Sequence, residues 1–555
     1  MLGHVVDVAQ LLRGYGIALG DLSDVLARRY GERLALEDAA PTPGLPTGSG
    51  RTYRDVEEAV ARLAAAHRTM GTSAGDVVLV VCRNRIDIVF HAMALARVGA
   101  VAAPVNSRLA PGEMSAVAAA AGAVAAVADP DIARDIGGAT GLRHLAWRLT
   151  TDGGDAVDVA AWLAAHPGQR MGPTDRDPDA TALILATSGT TGTPKAARLT
   201  SHGLLGGVGR LAMAPVGWRV GPRAHRDLAL AALPLTHVMG FSVVLSALCA
   251  GVPLVHRARF DAAEVLDVIE ERRPNVFVGV PTMYADLESA GANDRDLASV
   301  QLWVSAADIM PAARARRFQQ YGAAADVGGW RLGTAAFADV YGMVEMSGPA
   351  AVRLFPPSLI RPVPAPPLSV TLPGVEVRAV DDDGAPVAWG RVGQLQFRGP
   401  GVLASYADGP EACDSHGWLS TGDLGRVWPG GVLTFVGRTR DRLKVSGFSV
   451  FPAEVEARLR RHPDVADVAL VGLPDERHGD RPVALVVPGS DSFDAEVFLD
   501  WAATEVAGYR RPRAAYVIDA LPRGPHGKVD RAAASHLAAD LAGKSDVDER
   551  THRAR

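Results

Sequence analysis

The chain has little of what a disulfide scaffold or a nucleic-acid-binding protein needs. Only three of its 555 residues are cysteine, and Cys82, Cys249 and Cys413 lie too far apart to form a CxxC pair. This spacing favours reduced thiols over a metal or redox motif. Lysine and arginine total 57 against 62 acidic residues, which gives a net charge of −5. No basic excess therefore predicts nucleic-acid binding.

Long apolar runs are also absent. The stretches Ala116–Ala128 and Phe241–Val255 are the longest, and both fall short of the roughly 18 to 20 strongly apolar residues of a membrane span. The N-terminal sequence MLGHVVDVAQLLRGYG lacks the basic region and cleavage site of an export signal. We therefore expect a soluble, cytoplasmic protein without a membrane span.

What is present is typical of a large globular enzyme. Hydrophobic residues make up 48% of the chain and charged residues 21%, which excludes wholesale disorder. At roughly 150 residues per domain, the length predicts three or four folding units.

The first 280 residues alternate helical and strand patterns. Helical patterns cover Tyr53–Met70, Ile86–Val98 and Ala262–Arg272, and strand patterns cover Val77–Cys82, Ala100–Val105, Leu183–Ala186, Leu228–Leu233 and Val276–Val280. Strand, helix and strand in succession predict parallel βαβ units. The fold class expected is therefore α/β, with doubly wound subdomains.

The pattern changes after Pro356. Short strands separated by Gly and Asp turns predict a small β-barrel-like unit or meander. A compact α+β unit follows from about Arg440. The polar residues from Lys544 onward lack periodicity, which predicts a disordered tail over residues 544–555.

The strongest local motif is Thr187–Lys195, TSGTTGTPK, directly after a predicted strand. Glycines expose backbone N–H groups, hydroxyls add donors, and the lysine adds a positive charge, as binding of a polyphosphate requires. Pro194 stands where a P-loop has its second glycine, and Gly203–Gly209 does not fit GxGxxG. A plain flexible loop is the alternative for this segment alone.

The loop is accompanied by further motifs, and together they resemble the adenylate-forming superfamily. This superfamily comprises acyl-CoA synthetases, adenylation domains of nonribosomal peptide synthetases and firefly-type luciferases. The resemblance is greatest to acyl-CoA synthetases, and the motifs occur in the family's order: Val98–Leu109 with Glu113, Thr187–Lys195, Pro234–Gly240, Val280–Tyr284, Tyr341–Glu345, Ser420–Leu424, Gly437–Glu456 and Pro522–Arg531. The resemblance implies a large N-terminal domain (1–439) and a small mobile C-terminal lid (440–543), with a hinge at Arg440.

The resemblance also implies residue roles. Lys528 is expected at the reacting carboxylate and α-phosphate, Asp423 at the ribose and Tyr341 on the adenine ring. Glu345 and Thr190 are the expected Mg²⁺ ligands. The complete set of expected ATP and AMP contacts is Thr187, Ser188, Gly189, Thr190, Thr191, Gly192, Lys195, Asp339, Tyr341, Gly342, Asp423, Arg438 and Lys528.

Other roles concern the acid and the thiol. His237 is expected as a catalytic gate between acid and thiol sites, with a satisfied, partly buried histidine as the alternative. Gly447 is expected in the CoA tunnel. The expected acyl pocket consists of His237, Phe241, Ser305, Ala306 and Gly342.

The chain departs from the family pattern at several positions. Val344 replaces a threonine that bonds the α-phosphate, so Ser347 or a loop threonine would have to compensate. The adenine wall reads SAAD at Ser305–Asp308, and the connector Ala323–Ala338 is longer than usual. These changes favour a bulky acid.

The predicted function is an ATP- and Mg²⁺-dependent acyl-CoA synthetase. A fatty, aromatic or bulky polycyclic acid of a specialised pathway forms acyl-AMP and pyrophosphate, and CoA then gives acyl-CoA and AMP. Loading of a separate acyl carrier protein is the alternative, and a non-catalytic degenerate homologue is a remote one. A homodimer is an open possibility.

Overall fold

A computed structural model gives the fold of the chain in two compact units. The described residues are 16–38, 50–129, 131–133, 146–147, 158–187, 195–211, 215–327, 330–358, 368–403, 405–407, 409, 411–446, 448–475, 477, 479–490, 492–506, 508–523 and 529–553. The first unit contains Met1–Glu376 with Phe397–Leu419, and the second contains Val377–Gln396 with Ser420–Arg555.

The first unit is rich in helices between strands. Its described helices are α1 (Leu22–Tyr30), α2 (Tyr53–Thr69), α3 (Asp87–Val98), α4 (Pro111–Ala121), α5 (Val159–Ala165), α6 (Ser201–Leu211), α7 (Val238–Ala250), α8 (Ala262–Arg272), α9 (Pro281–Ser289) and α10 (Ala312–Tyr321).

The strands of the first unit alternate with these helices along the chain. They are β1 (Leu34–Asp38), β2 (Gly50–Thr52), β3 (Val77–Val81), β4 (Val101–Pro104), β5 (Ala125–Ala128), β6 (Ala146–Trp147), β7 (Thr181–Thr187), β8 (Lys195–Thr200), β9 (Pro215–Val216), β10 (Arg219–Val220), β11 (Ala229–Ala231), β12 (Leu254–His256), β13 (Val276–Gly279), β14 (Leu302–Ala306), β15 (Ala325–Val327), β16 (Trp330–Leu332), β17 (Ala336–Met343), β18 (Gly348–Phe355) and β19 (Leu368–Thr371).

Two large sheets organise the first unit. One has the order β6-β5-β3-β4-β7-β8 and is parallel except for the β7–β8 pair. In the other, the order is β2-β1-β12-β11-β13-β14-β17-β18-β19, and the strands from β1 to β17 run parallel. Parallel neighbours require crossover connections, which the intervening helices provide. The predicted α/β class is confirmed.

Local sequence explains where these helices begin. Thr52 and Asp55 form a reciprocal capping box at the start of α2, which satisfies two backbone donors that would otherwise lack partners. The Asp261 carboxylate accepts from the Glu264 N–H at the start of α8. The predicted bounds of that helix, Ala262–Arg272, are confirmed at both ends.

The long connector Ala323–Ala338 has structure of its own. Ala325–Val327 and Trp330–Leu332 pair as antiparallel strands β15 and β16. Gly333 follows with a φ of 64°, and a side chain there would lie 2.2 Å from the Ser358 carbonyl oxygen. A glycine is therefore required where the hairpin rejoins the sheet.

The second unit combines a meander with an α+β body. Its helices are α11 (Pro452–Leu459), α12 (Ala495–Glu505) and α13 (Arg531–Arg553). Strands lying wholly or mostly in this unit are β20 (Glu376–Val380), β21 (Val392–Arg398), β22 (Leu419–Trp428), β23 (Val432–Arg438), β24 (Leu443–Val445), β25 (Phe448–Val450), β26 (Val465–Asp475), β27 (Gly479–Pro488) and β28 (Ala515–Val517).

Strands β20 to β23 lie side by side in chain order, which is the meander form of the predicted β unit. The remaining strands form a sheet around the long antiparallel β26–β27 hairpin. Alternate residues of this hairpin enter two cores: Val468 and Leu470 join Phe498 of α12, whereas Ala469 and Val471 join α13. The small α+β C-terminal body is confirmed.

The C-terminal end differs from the predicted disordered tail. Helix α13 continues from Arg531 to Arg553, so residues 544–553 are helical. In the sequence, Asp546 precedes Arg550 and Glu549 precedes Arg553 by four residues. Opposite charges at this spacing support a helix. The predicted disorder followed from the lack of periodicity and did not take this charge spacing into account.

Two expectations from composition also have structural counterparts. Among the described residues, no helix has both the length and the apolarity needed to cross a bilayer. The three cysteines are free thiols, with Cys82 and Cys249 buried and Cys413 half-buried. Burial raises the pKa of each thiol, as unreactive, reduced cysteines require.

Candidate functional site

Neighbouring strands hold the two ends of the predicted phosphate loop. Strand β7 ends at Thr187 and β8 begins at Lys195, and these two residues are paired in the antiparallel ladder. The two ends of the loop are therefore held side by side. The expected ATP contacts between these ends lie outside the described residues, so their roles stay predictions: Ser188, Gly189, Thr190, Thr191 and Gly192.

Lys195 and Glu345 meet at one tyrosine. The Tyr406 hydroxyl donates to Glu345 Oε1 at 3.1 Å, and Lys195 Nζ lies 5.1 Å from the centre of the Tyr406 ring. Burial raises the pKa of the Tyr406 hydroxyl, and the Glu345 carboxylate raises it further. The phenol therefore stays protonated and can donate its hydrogen bond.

Backbone hydrogen bonds fix the segment that carries Tyr406. The Ala407 N–H donates to the Ala196 carbonyl at 2.8 Å, and the Leu403 N–H donates to the Glu345 carbonyl at 2.8 Å. One bond reaches the strand after the phosphate loop and the other reaches the expected Mg²⁺ ligand. The geometry thus joins three segments that are remote in sequence.

Glu345 suits a divalent cation. It lies half-buried on the single 3-10 turn Val344–Met346. Magnesium in nucleotide sites keeps several waters and takes one or two carboxylates together with phosphate oxygens. A partly accessible carboxylate close to the end of a phosphate loop fits this coordination.

The hairpin β17–β18 carries Asp339, Tyr341 and Gly342. A side chain at Gly342 would lie 2.1 Å from the Gly348 carbonyl oxygen, so the close approach of the two strands requires glycine. The half-buried Tyr341 ring lies 5.5 Å from that of Phe397, tilted by 31°. The adenine contacts expected of this hairpin stay predictions.

Asp339 is buried and already has internal partners. Its Oδ2 accepts from Arg353 Nη2 at 2.6 Å and from the Met310 N–H at 3.2 Å. Burial raises the pKa of Asp339 to about 6, although Arg353 and the Met310 N–H oppose the rise. Two hydrogen bonds therefore restrain the Asp339 carboxylate, and the Arg353 guanidinium balances its charge.

The structure narrows the options for replacing the missing threonine at Val344. Ser347 is buried, has a φ of 54°, and donates from Oγ to the Gly401 carbonyl at 2.8 Å. Its hydroxyl hydrogen is therefore donated to a main-chain carbonyl and not to a phosphate oxygen. Of the threonines of the phosphate loop, which are the alternative, Thr187 ends β7, and Thr190, Thr191 and Thr193 lie outside the described residues.

His237 immediately precedes helix α7 as its N-cap residue and is half-buried. The segment before it is held by Asn84, whose Oδ1 accepts from the Leu235 N–H at 2.7 Å. The Asn84 amide nitrogen donates to the carbonyls of Leu233 and Ala258 at 3.1 and 2.9 Å. Asn84 therefore fixes the backbone that leads to His237, whose gating role stays a prediction.

Of the other expected acyl-pocket residues, three are deeply buried and Gly342 is exposed. Phe241 and Ser305 are fully buried, and Ala306 is 4% exposed. The Ser305 Oγ has no hydrogen-bond partner among the described residues. Ala307, in the altered SAAD segment, has a φ of 74°, a conformation that costs a non-glycine residue about 1–2 kcal/mol. Contact with an acid stays a prediction for this group.

The expected ribose site lies in the second unit. Asp423 and Arg438 face each other across the antiparallel β22–β23 pair, with Arg438 Nε 3.3 Å from Asp423 Oδ1. The Asp423 N–H donates to Thr421 Oγ1 at 3.1 Å. Asp423 is buried, whereas the Arg438 side chain is 45% exposed.

Of the expected hinge and lid residues, the structure describes Arg440. Arg440 is exposed on the turn Thr439–Asp441, with Nε 3.6 Å from Asp441 Oδ1. Residues 420–439 belong to the same compact unit as Arg440, and the hinge stays a prediction. Gly447 and Lys528 lie outside the described residues.

Sequence reasoning missed Tyr406, Arg353 and Asn84. Tyr406 and Asn84 form hydrogen bonds with residues that are remote in the sequence, and no local pattern reveals such contacts. Arg353 could have been found, because an antiparallel β17–β18 hairpin places it opposite Asp339. A buried carboxylate needs a partner, and that register supplies one.

Comparison with known proteins agrees with this geometry. Residues 24–407 match the family of AMP-binding enzymes, and residues 454–528 match the AMP-binding enzyme C-terminal domain. The chain is 30% identical to 4-coumarate–CoA ligase 5 of Oryza sativa subsp. japonica, over 87% of this chain and 89% of the relative. It is also 30% identical to a feruloyl-CoA synthase of Amycolatopsis sp, over 87% and 93%.

Among solved structures, the chain resembles ATP-bound MatB from Rhodopseudomonas palustris, with a TM-score of 0.78 and 26% identity. The likeness covers 94% of this chain and 99% of that one. Ordered motifs, sheet topology and family matches over both ends of the chain lead to one conclusion. The chain belongs to the AMP-binding enzymes, the adenylate-forming superfamily that includes the acyl-CoA synthetases.

Proposed function

We propose that the protein is an acid–thiol ligase that activates an aromatic carboxylic acid with ATP and transfers the acyl group to CoA. The observation that carries the proposal is the meeting of Lys195 and Glu345 at Tyr406. A cation from the phosphate loop and a carboxylate suited to Mg²⁺ lie at one place, as adenylation by ATP requires.

The first half-reaction joins the acid to AMP. A carboxylate oxygen of the acid attacks the α-phosphorus of ATP, the bond to the β,γ-diphosphate breaks, and pyrophosphate leaves. Bringing two anions together is the main obstacle, so positioning and charge compensation supply most of the catalysis. Bound Mg²⁺ would neutralise phosphate charge, with Glu345 and Thr190 to hold it. Lys195 binds the polyphosphate, and Lys528 binds the attacking carboxylate and the α-phosphate.

Other residues orient the nucleotide. Asp423 offers two carboxylate oxygens to the ribose hydroxyls, and Arg438 lies beside it. Tyr341 and Gly342 contact the adenine, with Asp339 as an acceptor for its amino group. In the second half-reaction the CoA thiol enters along the tunnel at Gly447 and past the gate at His237. It loses its proton and attacks the acyl carbonyl, the bond from that carbonyl to the phosphate oxygen breaks, and AMP leaves.

Two observations support an aromatic acid. Relatives at 30% identity are named for 4-coumarate and for feruloyl-CoA. No sequence motif assigns an acidic residue to an α-amino group, so an amino acid substrate is disfavoured. Fatty and bulky polycyclic acids are the other candidates, and the same assay distinguishes them.

The test is product analysis with defined acids and thiols. Purified protein with ATP, Mg²⁺ and CoA is given 4-coumaric, ferulic, benzoic, palmitic and a steroid carboxylic acid, and AMP and thioesters are quantified by mass spectrometry. We expect AMP and the CoA thioester in equal amounts, highest with a hydroxycinnamic acid. AMP without thioester, together with acylation of a phosphopantetheinylated carrier protein, would favour the carrier alternative. No AMP with any acid would contradict the proposal.

The proposed hinge separates the two half-reactions. Because Arg440→Pro restricts the backbone at the hinge, it should leave pyrophosphate release from the first turnover near the wild-type rate and slow thioester formation at least tenfold. Asp382→Pro is the control outside the hinge, because Asp382 is the second residue of the turn that the Gly384 N–H closes onto the Asp381 carbonyl, a position that favours proline. Equal losses in both half-reactions of Arg440→Pro would count against a hinge there.

A further inference from the structure

Tyr406 lies between the two charged groups that carry the proposed function. Its hydroxyl donates to Glu345 Oε1 at 3.1 Å, and its ring faces Lys195 Nζ at 5.1 Å. We infer that Tyr406 is a positioning residue that orients the Glu345 carboxylate for the divalent cation accompanying ATP. This inference rests on the proposed function and extends it to a residue that no motif assigned.

The tyrosine is well placed to orient that carboxylate because it is itself restrained. Main-chain bonds at Leu403 and Ala407 anchor its segment on both sides, and a β-bridge pairs Tyr406 with Ala197. One of those bonds ends on the backbone of Glu345 itself. The main-chain positions from which the hydroxyl and the carboxylate extend are therefore fixed relative to each other.

A single donated bond is enough to select a carboxylate orientation. An ionised carboxylate has about four lone-pair sites on its two oxygens, so one bond to Oε1 leaves sites for a metal ion. Without the bond, the half-buried Glu345 side chain would sample other rotamers. Groups that hydrogen-bond to metal ligands in this way typically change metal affinity by about 10- to 100-fold when removed.

The ring has a second effect on Lys195. An ammonium over an aromatic face is attracted electrostatically. This attraction holds the Lys195 ammonium over the ring of the same tyrosine whose hydroxyl bonds Glu345. Both charges are thereby kept near the place where the β- and γ-phosphates would arrive. Tyr406→Phe retains this ring and removes the hydroxyl alone, which isolates the effect on Glu345.

The test measures nucleotide binding without turnover. Binding of α,β-methylene-ATP is followed by isothermal titration calorimetry at increasing Mg²⁺ concentrations, for wild type and Tyr406→Phe. We expect the variant to need about tenfold more Mg²⁺ for half-maximal binding, with an affinity at saturating Mg²⁺ within twofold of wild type. In a Glu345→Gln background, Tyr406→Phe should have no further effect.

Tyr321→Phe is the matched control, because Tyr321 also lies near a glutamate, Glu288, but outside the nucleotide site. It should titrate like wild type. Coincident Mg²⁺ titrations of wild type and Tyr406→Phe would overturn the inference, as would an unchanged Tyr406→Phe effect in the Glu345→Gln background. If wild type shows no Mg²⁺-dependent binding, the proposed function fails instead.

Discussion

Asp339 in the first unit and Asp423 in the second are both 8% exposed, and each faces an arginine on the neighbouring antiparallel strand. Their pairs differ in tightness. Arg353 lies 2.6 Å from Asp339 and its side chain is 24% exposed, whereas Arg438 lies 3.3 Å from Asp423 and its side chain is 45% exposed. Asp339 also accepts a backbone N–H from Met310.

The difference concerns how closely each aspartate carboxylate is held by its arginine. Asp339 is a buried carboxylate, and its bonds to Arg353 and to the Met310 N–H end on one oxygen. Asp423 has a more distant and more exposed arginine beside it. The two aspartates, expected at the adenine and at the ribose respectively, therefore differ in how firmly an arginine holds the carboxylate.

The largest expected effect is on stability, and it distinguishes the two arginines. Arg353→Ala leaves the buried Asp339 carboxylate without its cation and should lower the free energy of unfolding by about 3–5 kcal/mol at pH 7. Arg438→Ala removes an exposed partner and should cost less than about 1 kcal/mol. Urea unfolding followed by fluorescence measures both. Equal losses would mean that the two pairs are energetically alike.

The second prediction concerns pH. Burial raises the pKa of Asp339 to about 6, against about 3.9 in unfolded chains. Between these values the folded protein binds the proton more tightly, so the contribution of this group to stability is complete below about pH 4 and is lost as pH rises through 6. Relative to Asp339→Asn, wild type should lose about 3 kcal/mol between pH 4 and pH 7. A pH-independent difference between the two proteins would show that Asp339 has an ordinary pKa.

The smallest expected effect is on nucleotide affinity. Asp423→Asn keeps one acceptor for the ribose and loses one charged hydrogen bond, worth about 1.5 kcal/mol, so ATP should bind about tenfold more weakly. Asp339→Asn should also weaken ATP binding, because its single amide oxygen is needed by Arg353 and the Met310 N–H and its amide nitrogen would then face the adenine amino group. Calorimetry with α,β-methylene-ATP measures both variants. Unchanged ATP affinity in Asp339→Asn would count against an adenine contact at Asp339.

Motifs and periodicity predicted much of the fold and the composition of the site. The apolar run Val77–Cys82 predicted a strand that the structure has at Val77–Val81, and the helical pattern Ala262–Arg272 predicted that helix with its observed bounds. Lys195 and Glu345 were identified as functional by their motifs, and the structure brings both to Tyr406. Chemistry that depends on residue type and local spacing is visible in a sequence.

Contacts between distant segments were not visible. Nothing near Tyr406 in the sequence signals that its hydroxyl reaches Glu345. Asn84 follows β3 of one sheet and Leu235 follows β11 of the other, so their contact depends on how the two sheets pack. Ser347 was one candidate to replace the missing threonine as a hydrogen-bond donor to the α-phosphate. In the structure its hydroxyl donates to the Gly401 carbonyl instead. Such roles follow from strand register and loop packing, which single-sequence patterns do not determine.

The central claim is that this chain adenylates a carboxylic acid, with Lys528 as the residue on which that step depends. Exchange of labelled pyrophosphate into ATP tests it most directly, using the best acid of the panel and no CoA. We predict acid-dependent exchange in wild type and in Lys544→Ala, a lysine outside every motif, and exchange at background level in Lys528→Ala. Wild-type exchange by Lys528→Ala, or exchange that does not depend on the acid, would contradict the account.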